Sequence, residues 1–518
     1  MTVYFCLALV VTFSVLLYFV GTAVYNLFLH PLAKIPGPWL PALTPWYEVY
    51  FDCIVKGGGQ YPFHIKKLHE KYGPIIRPTP NEVHISDPSY LDTIYAIRNR
   101  NAAVAKGLNV DSSLAGAEDF HLHRVRREAM NPYFSPQAIL KLQHLFTEKK
   151  DECAAVLNAA SCSGIALNIS DLFFAYSNDI VRSFSFGSDS ALLKDLQEAK
   201  RQRKNLARLL TGIHLQRHFT AFFRFMGQVV PLVLGAPILP PAVVDLIRFK
   251  EQTGKDIETI LADKENTGKI GHSVFYELRD SAILPPEEKT ATRLQDEATL
   301  LVMAGTESTA KSLGIATFYI LHQPEILSKL REELRVARLQ AGPELPLARL
   351  LALPYLSAAM QEANRLSFGV TNRLNRYSPK EALAYTAPSG PAKGTEYVLP
   401  PKTHMATLIL CTHTDESLFP NPWRFDPERW IASDTNSTEE VNWRKRCMTA
   451  LGKGHRRCIG VNVANAAMSL VLAELTKFDL KLFETDESDV KFQFDFQVSH
   501  ARMDSKGIQV LVEGLHQQ

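Results

Sequence analysis

The run Leu451-Gly452-Lys453-Gly454-His455-Arg456-Arg457-Cys458-Ile459-Gly460 decides how the rest of this chain is read. Two glycines precede the cysteine and one follows it by two positions. Glycine lets a backbone take positive φ and approach a flat ligand closely. From Val461 onwards the sequence Val-Asn-Val-Ala-Asn-Ala-Ala-Met-Ser-Leu-Val-Leu-Ala-Glu-Leu is a good helix former. Cys458 is therefore expected at a helix N-terminus, where the partial positive charge lowers a thiol pKa and favours the thiolate. Arg456 adds a cation able to pair with an anionic ligand group. The plain alternative is a glycine-rich turn holding a buried cysteine, because a free cysteine is usually just a small apolar residue.

The segment resembles the haem-binding loop of the cytochrome P-450 superfamily, F-x-x-G-x-R-x-C-x-G, with Leu451 in the place of the usual Phe. The resemblance implies Cys458 as the thiolate ligand of haem b (iron protoporphyrin IX), where it pushes electron density onto the iron. It implies Gly452, Arg456 and Gly460 as cofactor-binding positions. Leu451 alters the shielding of the sulfur without removing the ligand.

Further signatures stand in family order. In Ala304-Gly305-Thr306-Glu307-Ser308-Thr309 a small pair precedes an acid and two alcohols. A hydroxyl there can bond the carbonyl four residues back and loosen the helix. An acid beside an alcohol can relay protons. The stretch resembles the A-G-x-[DE]-T-[TS] motif, which implies that Ala304 and Gly305 leave room for O2 at the haem. Glu307 and Ser308 then form the relay, with Thr309 as the alternative donor. Glu362-Ala-Asn-Arg365 puts an acid and a base on one helix face. Phe425-Asp-Pro-Glu-Arg429-Trp430 resembles F-x-P-E-R-F, and by resemblance Glu362, Arg365 and Arg429 make a buried triad that holds the cysteine loop. His123-Arg-Val-Arg-Arg127 resembles W-x-x-x-R, which makes His123 and Arg127 contacts for the haem propionates. Arg376 resembles the later propionate arginine, with Arg373 as the fallback.

From Met1 to Leu29 no Asp, Glu, Lys or Arg occurs. At about 1.5 Å per residue, Val3–Leu29 spans roughly 40 Å, enough for a hydrocarbon core of about 30 Å. Pro31, Pro36 and Pro38 end the helix. Lys34, the first charged side chain, places the bulk of the chain on the cytoplasmic side. An interrupted apolar stretch, Gln228–Leu246, reads either as core packing or as a lip dipping into the membrane. Long helices are expected at Thr290–His322, Glu325–Leu339 and Ser357–Leu366, and strands at Ile75–Ile85 and Tyr397–Ile409.

The chain of 518 residues is 46% hydrophobic with a net charge of +3. That balance is too mild for a nucleic-acid binder. Its seven cysteines form no C-x-x-C pair, so neither a disulfide framework nor a zinc site is indicated. The expected architecture is mainly α with a minor β portion: a P-450 fold over residues 31–518, preceded by a single transmembrane anchor at 1–30 in the endoplasmic reticulum membrane. The implied activity is insertion of one oxygen atom from O2 into an apolar small molecule. Electrons would come from NADPH through a membrane-bound flavoprotein reductase, since the chain shows no flavin or nicotinamide fingerprint. Lys445, Arg446, Lys453, His455 and Arg457 offer a basic dock for it. The style of 123–135 and 373–384 resembles fungal enzymes of the trichodiene-oxygenase kind, which points to secondary metabolism and a terpenoid or polyketide substrate. Two rivals are a haem-thiolate isomerase or dehydratase that does not use O2, and a non-enzymatic haem-binding protein.

Overall fold

The charge-free N-terminus folds as α1 (Thr2–Val24) and runs on through a π-helical turn, Tyr25–Leu29, in a computed structural model that describes residues 2–516 apart from 97–99, 103–109, 189, 224, 227–240 and 266–272. Its apolar stretch Tyr4–Leu29 has a mean hydropathy of 2.3, and only its last turns meet the protein, where Asn26 is buried and donates to the Leu43 carbonyl. This helix is long and apolar enough to cross a membrane. At His30, just before Pro31, the backbone turns extended (φ −64°, ψ 140°), as the residue before a proline prefers.

The chain divides into two compact units, one of residues 1–103 and 372–412, the other of 104–371 and 413–518. The first unit is built on a five-stranded sheet. Its strands are β1 (Ile75–Thr79), β2 (Glu82–Ile85), β3 (Asn101–Ala102), β4 (Arg376–Tyr377) and β5 (His404–Ala406). The order across the sheet is β1-β2-β5-β4-β3. The expected strand at Ile75–Ile85 is a hairpin pairing Ile75 with Ile85. The expected Tyr397–Ile409 strand is instead broken into Glu396–Leu399, β5 and a helix starting at Ile409. Pro400 and Pro401 lack the donors to continue a ladder, and Lys402 takes a left-handed φ of 67°.

The second unit is helical. Its main elements are α2 (Phe120–Met130), α3 (Gln143–Ser163), α4 (Ile169–Phe186), α5 (Ala291–His322), α6 (Pro354–Ser367) and α7 (Val461–Leu475). Asp119 caps α2 by accepting from the amides of His121 and Leu122, and Thr290 caps α5. Helix α5, 32 residues and roughly 48 Å long, packs along α4 and carries α6 and α7 on other faces. The long helices begin and end within a few residues of their expected limits. Of the Gln228–Leu246 stretch, 228–240 lie outside the described residues, and a helix runs from Pro241 to Ala262.

Candidate functional site

The cysteine loop is shaped by its first two glycines. Gly452 and Gly454 take φ of +67° and +69°, which a side chain would resist. A single 3-10 turn, Gly454–Arg456, follows, and the Cys458 amide closes the loop on the Leu451 carbonyl at 2.7 Å. Gly460 does not need left-handed freedom, since its φ is −80°. Its amide instead donates to the Cys458 sulfur. Cys458 is exposed as a residue, while the protein around its thiol strongly desolvates it.

That crowding corrects the expected electrostatics. Burial pushes the Cys458 thiol up, and the Gly460 amide, Arg127 and Arg457 only partly oppose it. Helix α7 begins at Val461, capped at Gly460, so the cysteine precedes the helix rather than sitting at its first turn. At the thiol, desolvation outweighs the helix end.

The cations around the loop divide by what holds them. Arg127 reaches from α2 and donates to the Arg457 carbonyl. Burial lowers its pKa, and the nearby Cys458 works the other way. His123 is 3% exposed, with its ring edge-on to His455 at 5.4 Å. Arg456, expected to meet an anion, donates to the carbonyls of Ala117 and Glu118 and to the His455 ring. In the other unit, Arg376 is buried in β4 over the Tyr95 ring, donating to the Leu374 and Asn375 carbonyls. No carboxylate pairs with it among the described residues, and burial lowers its pKa. Arg373 is closed as a fallback, because Glu48 and Glu82 hold it at 2.7 and 3.0 Å.

Midway along α5 the side chains of Ala304 and Ser308 are exposed, although Val302, Thr306, Thr309 and Ala310 beside them are buried. The Ser308 hydroxyl donates to the Ala304 carbonyl at 2.7 Å, the local bond that loosens a helix. Thr309 points into the core at 7% exposure, so Ser308 is the alcohol on the open face. Gly305 was expected to make room for O2, but it faces a neighbouring helix. A Cβ there would lie 2.7 Å from Val181 of α4, so the glycine is required by helix packing.

The Glu362–Arg365–Arg429 cluster forms as expected. Arg365 grips Glu362 through two bonds of 2.7 and 2.8 Å, and Arg429 adds a third at 3.0 Å. Burial works to raise the Glu362 pKa, but the arginines beside it hold it below the usual carboxylate value. Sequence reasoning missed three supporting residues. The Trp430 indole donates to Glu362 at 2.9 Å, a bond that a phenylalanine there could not make. Buried His413 accepts the Thr449 amide at 3.1 Å and donates to the Arg365 carbonyl at 2.9 Å, tying the triad to the segment leading into the cysteine loop. Gly369 (φ +53°) lets the end of α6 pass the Ala450 carbonyl, where a Cβ would come to 2.2 Å. Only Trp430 left a trace in sequence, as a donor replacing an aromatic without one.

Comparison with known proteins agrees with this geometry. The family described as Cytochrome P450 matches residues 41–510. Cytochrome P450 monooxygenase TRI4 of Trichoderma arundinaceum is 34% identical over 94% of this chain and 90% of its own length. TRI4 of Fusarium sporotrichioides is 34% identical over 95% and 91%, and cytochrome P450 monooxygenase tpcC of Cochliobolus heterostrophus 34% over 96% and 95%. A glycine-shaped loop offering one exposed cysteine, tied by a buried acid–arginine cluster to a long helix with an open alcohol, thus sits in a chain that belongs to the cytochrome P450 family: a haem-thiolate monooxygenase that takes its electrons from a redox partner.

Proposed function

We propose that this chain is anchored by residues 1–30 in the endoplasmic reticulum membrane. Residues 31–518 form a cytosolic catalytic domain that hydroxylates or epoxidises an apolar small molecule, with Cys458 as the iron ligand. The observation that carries this reading is the exposed Cys458 within a loop that desolvates its thiol. The donor set of the helical unit fits a haem: the Cys458 thiol and the half-buried guanidinium of Arg127, which carries no carboxylate partner among the described residues. Such a cation suits a propionate of the porphyrin edge, with His123 one turn earlier on the same helix and Gly452 giving the backbone its close approach.

When bound, the haem supplies the one-electron chemistry that activates O2. The chain's own part is to hold and protonate. Cys458 binds metal as the thiolate, so its proton leaves on cofactor uptake. The Gly460 amide then steadies the sulfur charge. Ala304, the smallest side chain on the open face, leaves space for O2. The Ser308 hydroxyl turns from the Ala304 carbonyl to donate its proton and is recharged by Glu307; serine lacks the β-branch that would stiffen this rotation. Exposed Lys445, Arg446 and Arg457 suit an acidic NADPH-dependent flavoprotein reductase. Likeness to fungal monooxygenases favours secondary metabolism, with a terpenoid or polyketide as substrate.

The test is spectroscopic. Membranes carrying the reduced, CO-treated protein should show the red-shifted Soret band of a thiolate-ligated haem, and Cys458→Ser should abolish it. An unchanged band in the variant refutes the ligand assignment. Label from 18O2 should appear in product, and a product that forms without O2 would sink the monooxygenase reaction.

A further inference from the structure

Ala304, Glu307, Ser308 and Lys311 fall at i, i+3, i+4 and i+7 of α5 and so share its open face. Lys311 stands one turn beyond Glu307. It lies within electrostatic reach of two carboxylates, Glu307 on its own helix and Asp495, and of the His500 ring. Asp495 and His500 belong to a small hairpin of β6 (Phe494–Asp495) and β7 (Ser499–His500). Asp495 is 2% exposed and accepts from the Thr371 hydroxyl and the Gln497 amide, while the buried His214 ring bonds its backbone carbonyl at 2.6 Å. Polar groups therefore extend from the open face of α5, where Lys311 is half-buried, to the buried Asp495 of the hairpin, and Lys311 is the one cation among these groups.

Lys311 makes no hydrogen bond or ion pair among the described residues, and the buried Nε2 of His500 has no partner either. Burial lowers the Lys311 pKa to about 8, with Glu307 and Asp495 opposing it. Burial and the Lys311 charge take His500 down to about 3, so that ring is neutral. A desolvated ammonium with no direct partner is costly where an apolar side chain would pack freely. Space flanked by polar groups that do not touch is where bridging water resides.

We propose that Lys311 is a positioning residue for proton delivery: bridged by water to Glu307 and Asp495, it holds the Glu307 carboxylate beside Ser308 and links that pair to the buried Asp495–Thr371–His214 group. This rests on the reading of Glu307 and Ser308 as the relay. The step is a proton transfer alone. Glu307 gives its proton to Ser308 and takes one back from the water that the Lys311 ammonium holds in place, with no redox change. Below about pH 8 the ammonium is present and the relay is set; above it the link is lost.

The experiment uses holoenzyme with reductase and NADPH, comparing wild type, Lys311→Met and Lys311→Arg. Lys311→Met should keep the CO band, raise the peroxide formed per O2 consumed several-fold, and lose the alkaline limb near pH 8. Lys311→Arg should restore low peroxide and move that limb upward. Independently of turnover, pulsed reductive methylation read by mass spectrometry should give Lys311 a midpoint near 8, moved down in Glu307→Gln and in Asp495→Asn because each removes an anion. A wild-type protein without the CO band refutes the haem-thiolate reading and takes the delivery role with it. A normal band with Lys311→Met matching wild type in peroxide yield and pH profile overturns the role of Lys311 alone, as does a labelling midpoint that neither acid variant moves.

Discussion

The Glu362 cluster, fully buried, and the open face of α5, only half-buried at Glu307 and Lys311, hold their charges in opposite ways. At Glu362 one oxygen accepts from Arg365, Arg429 and the Asp426 amide, and the other from Arg365 and Trp430. Arg365 spends its remaining donors on the carbonyls of His413, Pro422 and Arg424. No lone pair or proton is left for chemistry. On α5 the Ser308 hydroxyl makes one local bond and the Lys311 ammonium makes none. A saturated network is rigid and positions its neighbours, whereas an unsaturated one can exchange protons. The fold keeps the two apart, with the first fixing the loop that the second must serve.

The sharpest way to break the contrast is Glu362→Gln, which leaves Arg365 fully buried and without its counter-charge. We expect a loss of about 3–5 kcal/mol and failure to accumulate folded, haem-loaded protein, measured by thermal denaturation and pigment yield. On the open face, Ser308→Ala should instead leave the melting temperature near wild type. It should cut product formation by on the order of 10²-fold, as loss of a proton donor does. Thr309→Ala, on the core side, should change turnover little, and the reverse ranking would exchange the two alcohols.

Acidity sharpens the comparison further. His413 is held at about 3, below the ordinary histidine value of 6.5, by burial. The unfolded chain therefore takes up a proton that the folded one refuses as pH falls from about 6.5 towards 3, and stability drops across that window. The lowered pKa of Glu362 acts in the same direction at the acid end. Denaturation midpoints between pH 7 and 4 should fall, less steeply in His413→Gln. The smallest effect expected is for Trp430→Phe, which restores the aromatic usual in the family but removes one bond to a charged acceptor. It should cost about 1.5–3 kcal/mol of stability while activity per haem is kept.

Local pattern alone determined a good deal. The charge-free N-terminal helix, the long helices, the glycine-flanked Cys458 and the acid–arginine pair all depend on neighbours along the chain, through hydrophobic period, proline punctuation and i, i+3 spacing. The same logic placed Ser308 back-bonded to Ala304, since both ends of that bond lie within one turn. Tertiary structure decided which way adjacent side chains point and what they meet. Thr309 rather than Ser308 turns to the core, Gly305 yields to Val181, Arg456 is taken by the carbonyls of Ala117 and Glu118, and Trp430 donates to Glu362. Those partners lie tens to hundreds of residues away, and the thiol of Cys458 rises rather than falls because desolvation comes from the whole packed surround, which no ten-residue window contains.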